Sequence, residues 1–229
     1  MIPIPQYPLY TATLAHLDAV PIPYYLQEPD QWSMSHKDLV TAIRKARDAQ
    51  TPIKAMAIIN PGNPTGACLP EEAMKQVVQL CYDEGIMLLA DEVYQTNIFD
   101  PETKPFVSFK KVLKGMPKDV AESVELVSFH SISKGVSGEC GRRGGYFEAV
   151  NIDDKVMEQI YKMASVSLCP PLTGQVSQPP KFPLQSHQYP STSLLPYPSS
   201  LSHSLSLSLS LLLAVPRILE THSFRSCDT

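Results

Sequence analysis

The sequence predicts an α/β fold: a mostly parallel sheet covered on both faces, followed by a C-terminal tail that stands outside the folded body. Three observations carry this. Apolar runs of strand length alternate with amphipathic stretches of helical period, the pattern of βαβ units. The runs are apolar at consecutive positions rather than alternate ones, as strands are when both faces of a sheet are covered. Near residue 176 the composition changes: charges thin out, and proline, serine and leucine take over.

Each element has its own warrant. Ser35 is placed to cap a helix over residues 36–49, where Leu39, Val40, Ile43 and Ala46 recur at helical spacing. Thr51 and Pro52 interrupt it, and residues 53–59 then form an apolar run of strand length. A turn-rich loop over 60–69 leads to a helix over 70–84. Pro70 at its first position, Glu71 and Glu72 in its first turn and Gly85 beyond its end match the chemistry of helix termini. Its inward stripe is Ala73, Met74, Val77, Val78 and Cys81. Residues 86–90 form a fully apolar strand and 124–129 a largely apolar one, and a last helix covers 153–165. Strand, helix and strand at this spacing place parallel neighbours in one sheet. No internal repeat is visible.

The chain has 229 residues, with 19 basic and 23 acidic side chains and a formal charge of −4. That mild acidity gives no electrostatic basis for holding nucleic acid or an anionic membrane surface. Five cysteines show neither C-x-x-C nor zinc spacing, so neither a disulfide framework nor a metal site is expected, and a reducing compartment fits. No signal or transit segment opens the sequence, which points to the cytoplasm. The tail, residues 176–229, carries Lys181, Arg217, Glu220, Arg225 and Asp228 as its charges and contains a Leu/Ser alternation over 201–213. Such low complexity reads as a disordered segment, and the alternation matches a translated dinucleotide repeat better than a packed strand. Its apolar run over 209–215 falls far short of the ~20 residues that span a bilayer.

Three polar clusters follow the three strands, where open parallel sheets collect ligands. The first, residues 60–66, reads Asn-Pro-Gly-Asn-Pro-Thr-Gly; the second, 91–94, reads Asp-Glu-Val-Tyr; the third begins His-Ser-Ile-Ser-Lys at 130–134 and runs through a basic glycine loop to Tyr146. Taken singly they have plain structural readings. Asn-Pro-Gly-Asn is turn chemistry, a carboxylate ending a buried strand serves more often as a helix cap or ion-pair partner, and a lysine among serines and glycines is usually solvated.

As an ordered set they resemble the fold-type I, pyridoxal-phosphate-dependent aminotransferases of class I/II, and within them the alanine aminotransferases. Residues 5–10 (Pro-Gln-Tyr-Pro-Leu-Tyr), 60–66, 90–95 and 128–146 carry the resemblance, which covers residues 2–175. It implies part of a three-layer α/β/α large domain, pyridoxal 5'-phosphate as cofactor, and an amino acid and a 2-oxo acid as substrates. The implied reaction converts L-alanine and 2-oxoglutarate to pyruvate and L-glutamate. Lys134 matches the lysine that anchors the cofactor and moves the substrate proton. Asp91 matches the carboxylate facing the ring nitrogen. Tyr94 and Asn63 match donors to the phenolic oxygen, and Tyr7 matches the aromatic residue on the ring face. Ser131, Ser133 and Arg143 match the phosphate ligands. Arg142 stands beside Arg143, and the family's spacing from the lysine selects Arg143. His130 is expected to pack or hydrogen-bond rather than act as a base.

The resemblance also defines departures. The family's small-residue loop, whose backbone amides hold the phosphate, precedes the matched segment. Its arginine clamp for the substrate carboxylate follows residue 175. Both fall outside the match, which sets an expectation of a crippled transaminase. Two readings therefore stay open: a transaminase weakened by truncation, or an inactive fragment that binds cofactor or pairs with a full-length relative. For the full-length family the resemblance implies a homodimer, with neither nucleic acid nor membrane as partner.

Overall fold

In the computed structural model, residues 1–136, 138–166 and 171–176 are described. In chain order the first elements are β1 (Ile2–Ile4), α1 (Leu9–His16), β2 (Pro23–Gln27), β3 (Ser33–Met34) and α2 (His36–Asp48). The central βαβ body follows as β4 (Ala55–Ile59), α3 (Glu71–Glu84), β5 (Met87–Asp91), α4 (Phe109–Lys114), α5 (Lys118–Ser123) and β6 (Leu126–Ser131). The described part closes with β7 (Gly145–Val150), α6 (Asp154–Ala164) and α7 (Leu172–Val176).

Local chemistry sets these boundaries. Ser35 caps α2, its hydroxyl accepting from Asp38 N–H. Pro70 takes the N-cap position of α3 rather than its first turn. Gly85 ends that helix in the left-handed region at φ 62°, where a side chain would be strained, and Ile86 N–H then returns to the Cys81 carbonyl. Asp153 caps α6 by accepting from Lys155 N–H.

The main sheet runs β4-β5-β6-β7. The first three strands are parallel and β7 is antiparallel to β6, so the sheet is mostly parallel. A smaller sheet, β1-β2-β3, lies at the β4 edge, where Ala57 N–H donates to the Met1 carbonyl at 3.0 Å. Side chains alternate across the strands into two cores. Met56, Ile58, Leu88, Ala90 and Leu126 pack with α2, α3, α4 and α5 on one face. Ala57, Ile59, Met87, Leu89 and Val127 pack with Tyr10 of α1 and with Val156 and Ile160 of α6 on the other. This is the three-layer α/β/α arrangement. Met56, Leu88 and Leu126 are fully buried, each burial contributing ~1.5–3 kcal/mol. On α3 the buried stripe is Met74, Val77, Val78, Leu80 and Cys81, with Ala73 only half-buried.

Among the described residues no helix is long and apolar enough to cross a membrane. The expected tail, including the 201–213 alternation, lies outside the described residues from 177 onward.

Candidate active site

The strand register builds one wall of a cavity. Ile59 of β4 is the register partner of Asp91 on β5, Asp91 of Phe129 on β6, and Phe129 of Phe147 on β7. Register partners present their side chains to the same face of a sheet. These four therefore form a row across the carboxyl ends of the parallel strands, and all four line a cavity of about 290 Å³. Tyr7, Asn63, Tyr94, Ser131, Ser133, Lys134 and Arg143 line the same cavity. The fold thus brings all eight residues singled out from the sequence to one place, although Tyr7 and Arg143 lie 136 positions apart in the numbering.

The acidic end is built around Asp91. Its Oδ2 accepts from the Tyr10 hydroxyl at 2.8 Å, and its Oδ1 accepts weakly from Val93 N–H at 3.4 Å. Burial pushes the Asp91 carboxyl above its ordinary value, while these two donors pull it back. Burial, and then the neighbouring Asp91, push the Tyr10 phenol well above its usual range. Asn63 Nδ2 donates to the Tyr94 hydroxyl at 3.3 Å, so two polar tips converge in the same cavity. Lys134 Nζ lies 5.7 Å from the centre of the Tyr94 ring.

The cationic end is built from the loop joining β6 to β7. Ser133 N–H donates to Ser131 Oγ at 3.1 Å, and Ser131 Oγ lies 2.8 Å from Ser133 Oγ, which folds the two hydroxyls together. Arg143 lines the cavity and its Nη1 donates to the Cys140 carbonyl at 3.2 Å. Arg142 instead forms an ion pair with Glu139, Nε to Oε2 at 3.3 Å. Gly145 must be small here: a Cβ at that position would stand 2.9 Å from the His130 carbonyl. His130 sits at the rim, with Gln95 Nε2 at 2.7 Å from its Nδ1 and the Tyr146 ring at 5.4 Å.

Two buried polar side chains beside the strand end were not singled out in the sequence. Tyr10 is buried and bonded to Asp91 across 81 residues. The signal available was its position three residues after Tyr7, which suits one face of a helical turn. Glu92 is buried on the opposite face and accepts from Phe109 N–H at 2.7 Å, at the start of α4. Its carboxyl is raised to about 7, chiefly by burial, with the Phe109 N–H pulling it down and Asp91 and Glu148 adding to the rise.

The sequence profile of the family described as aminotransferase class I and II matches residues 1–178. The chain belongs to that family. Alanine aminotransferase 1 of Bos taurus is 52% identical over 176 residues, covering 77% of this chain and 35% of that protein. Glutamate–glyoxylate aminotransferase 1 of Arabidopsis thaliana is 48% identical over 176 residues, covering 77% of this chain and 36% of that protein. The chain therefore spans about a third of the length of these relatives. Among solved structures, the alanine aminotransferase from Pyrococcus furiosus superposes with a TM-score of 0.62 at 28% identity, covering 76% of this chain and 40% of that one. Class I and II aminotransferases depend on pyridoxal phosphate, and the donor set of this family member fits that group. One carboxylate and two converging polar tips line the cavity together with two hydroxyls, a guanidinium, a primary amine and an exposed aromatic ring.

Proposed function

We propose that this cavity holds pyridoxal phosphate and that its chemistry is amino-group transfer between L-alanine and 2-oxoglutarate, giving pyruvate and L-glutamate. The observation that carries the reading is the convergence of Lys134, Asp91, Asn63, Tyr94, Ser131, Ser133, Arg143 and Tyr7 on one cavity at the strand ends. When bound, pyridoxal phosphate supplies an aldehyde that condenses with amines and a protonated ring that draws electrons from the amino acid's Cα.

The chain's own groups divide the remaining work. Ser131, Ser133 and Arg143 would hold the phosphate by charge-assisted hydrogen bonds. Asp91 would keep a proton on the ring nitrogen, Asn63 and Tyr94 would donate to the phenolic oxygen, and Tyr7 would pack against the ring. The Lys134 amine would anchor the cofactor and serve as the general base and acid for the Cα proton. Tyr7, at 43% exposure, and the exposed Lys134 leave the cavity's mouth open.

The test supplies ¹⁵N-alanine, 2-oxoglutarate and pyridoxal phosphate and follows ¹⁵N in glutamate by mass spectrometry. The reading expects slow appearance of label in glutamate with the wild-type chain, as for a weakened transaminase, and none with Lys134→Ala. Cofactor held by the wild-type chain without any transfer would overturn the transaminase reading in favour of a cofactor-binding partner of a longer relative. A parallel run with ¹⁵N-glutamate and glyoxylate, read as ¹⁵N in glycine, tests the substrate pair named by the Arabidopsis thaliana relative.

A further inference from the structure

We propose that Asn97 is a positioning residue for Lys134: its side-chain amide clasps the backbone of Gly135 and so ties the lysine-bearing loop to the turn that carries Tyr94. The consequence for cofactor capture rests on the function proposed above; the clasp itself does not.

The sheet creates the need for such a tie. The register that joins β5 to β6 ends at Asp91 and Phe129, extended by a bond from Glu92 N–H to the Phe129 carbonyl at 3.1 Å. Tyr94 and Lys134 both lie past that point, on loops that leave their strands separately. Lysine adds a flexible four-carbon stem, so a loosely held backbone would let its amine range widely. Lys134 and Tyr94 line the cavity and Asn97 does not, so Asn97 acts through their placement rather than on a ligand.

The tie is built from complementary groups. Gly135 N–H donates to Asn97 Oδ1 at 3.0 Å, and Asn97 Nδ2 donates to the Gly135 carbonyl at the long distance of 3.5 Å. A primary amide carries acceptor and donor side by side, so one side chain meets both backbone groups of one residue. Aspartate would keep the acceptor alone, and alanine would keep neither. Asn97 is in turn fixed to Tyr94: its own N–H donates to the Tyr94 carbonyl at 2.8 Å and closes a turn. Gly135 suits the close approach, since its φ of 81° is left-handed and a Cβ there would stand 3.0 Å from Thr96 Oγ1. The bonds therefore run from the Tyr94 carbonyl through Asn97 to the residue after Lys134, whose Nζ lies 5.7 Å from the Tyr94 ring centre. Both bonds of the clasp are exposed, so water competes for them and the expected effects are severalfold rather than orders of magnitude.

The experiment begins without cofactor, by NMR on the whole chain. Asn97→Ala should speed exchange of the Gly135 amide proton about fivefold and weaken the cross-peaks between the Lys134 methylenes and the Tyr94 ring. Asn97→Asp, which keeps the acceptor, should restore most of the protection. Unchanged Gly135 exchange in a folded Asn97→Ala chain, judged by its circular dichroism, overturns the proposal. The second arm times capture of pyridoxal phosphate: borohydride is added at intervals, and label on the Lys134 peptide is divided by label on surface-lysine peptides. Asn97→Ala should lower that ratio about threefold, and Asn97→Asp should recover it. A merely structural role would lower the melting temperature and leave the ratio in place, and that result overturns the proposal. A wild-type chain that labels Lys134 no faster than its surface lysines, with Gly135 exchange and the Lys134–Tyr94 cross-peaks still governed by Asn97, supports the clasp and overturns the function proposed above.

Discussion

Asp91 and Glu92 are neighbours at the end of one buried strand, yet they belong to different regions of the molecule. Alternation along β5 sends Asp91 to the face that opens into the cavity and Glu92 to the face closed by α4. Burial raises the affinity of both carboxyls for a proton. What separates them is the partner. Asp91 is held by a distant side chain and keeps an oxygen toward open space, whereas Glu92 satisfies the backbone N–H that begins a helix. A perturbed proton affinity therefore does not mark a working group by itself; a perturbed group with unspent bonding capacity beside a cavity does.

The sharpest way to break this comparison is to truncate one of the pair. Asp91→Ala should weaken retention of pyridoxal phosphate by about 100-fold, since a lost charge-assisted hydrogen bond is worth ~1.5–3 kcal/mol. Glu92→Gln should change it less than about threefold, because Glu92 does not line the cavity that holds Asp91. Equilibrium dialysis of both variants reads the difference; similar losses would dissolve the distinction between the two faces.

A smaller effect separates them in pH. The folded chain holds a proton on Glu92 up to about 7, above the ordinary 4.5 of the unfolded chain. The stability contributed is therefore complete below about 4.5 and declines as pH rises to about 7. Denaturant melts across that window should show a decline on the order of 3 kcal/mol, flattened in Glu92→Gln. A decline that persists unchanged in Glu92→Gln would assign it to other groups. The smallest effect concerns the other support of the same helix start. Ser108 Oγ accepts from Lys111 N–H at 3.2 Å. Ser108→Ala should cost about 1 kcal/mol of stability and leave cofactor retention unchanged.

The division between the two regions also governs what the sequence reveals. The βαβ body was legible because its signals are local: Ser35 before α2, Gly85 after α3, and largely apolar runs for β4, β5 and β6. The strand ends were legible as clusters, because each follows its strand directly. Helix α1 was not, since its buried residues are only Tyr10 and Thr13 and leave no apolar stripe. Strand β7 was not, because its six residues are all half-buried and blend with the glycine loop before it. The bond from Tyr10 to Asp91 joins positions 81 residues apart, and no local pattern announces such a pairing. Sequence reasoning had paired carboxylates at strand ends with helix caps in general terms; the structure gives that part to Glu92 and leaves Asp91 to the cavity.

The account stands on the cavity being a cofactor site anchored at Lys134. The direct measurement mixes the chain with pyridoxal phosphate, reduces with borohydride, digests, and locates the label by mass spectrometry. The predicted result is label concentrated on the peptide containing Lys134 and lost in Lys134→Ala. Label spread evenly over the surface lysines, and unchanged by Lys134→Ala, would contradict it.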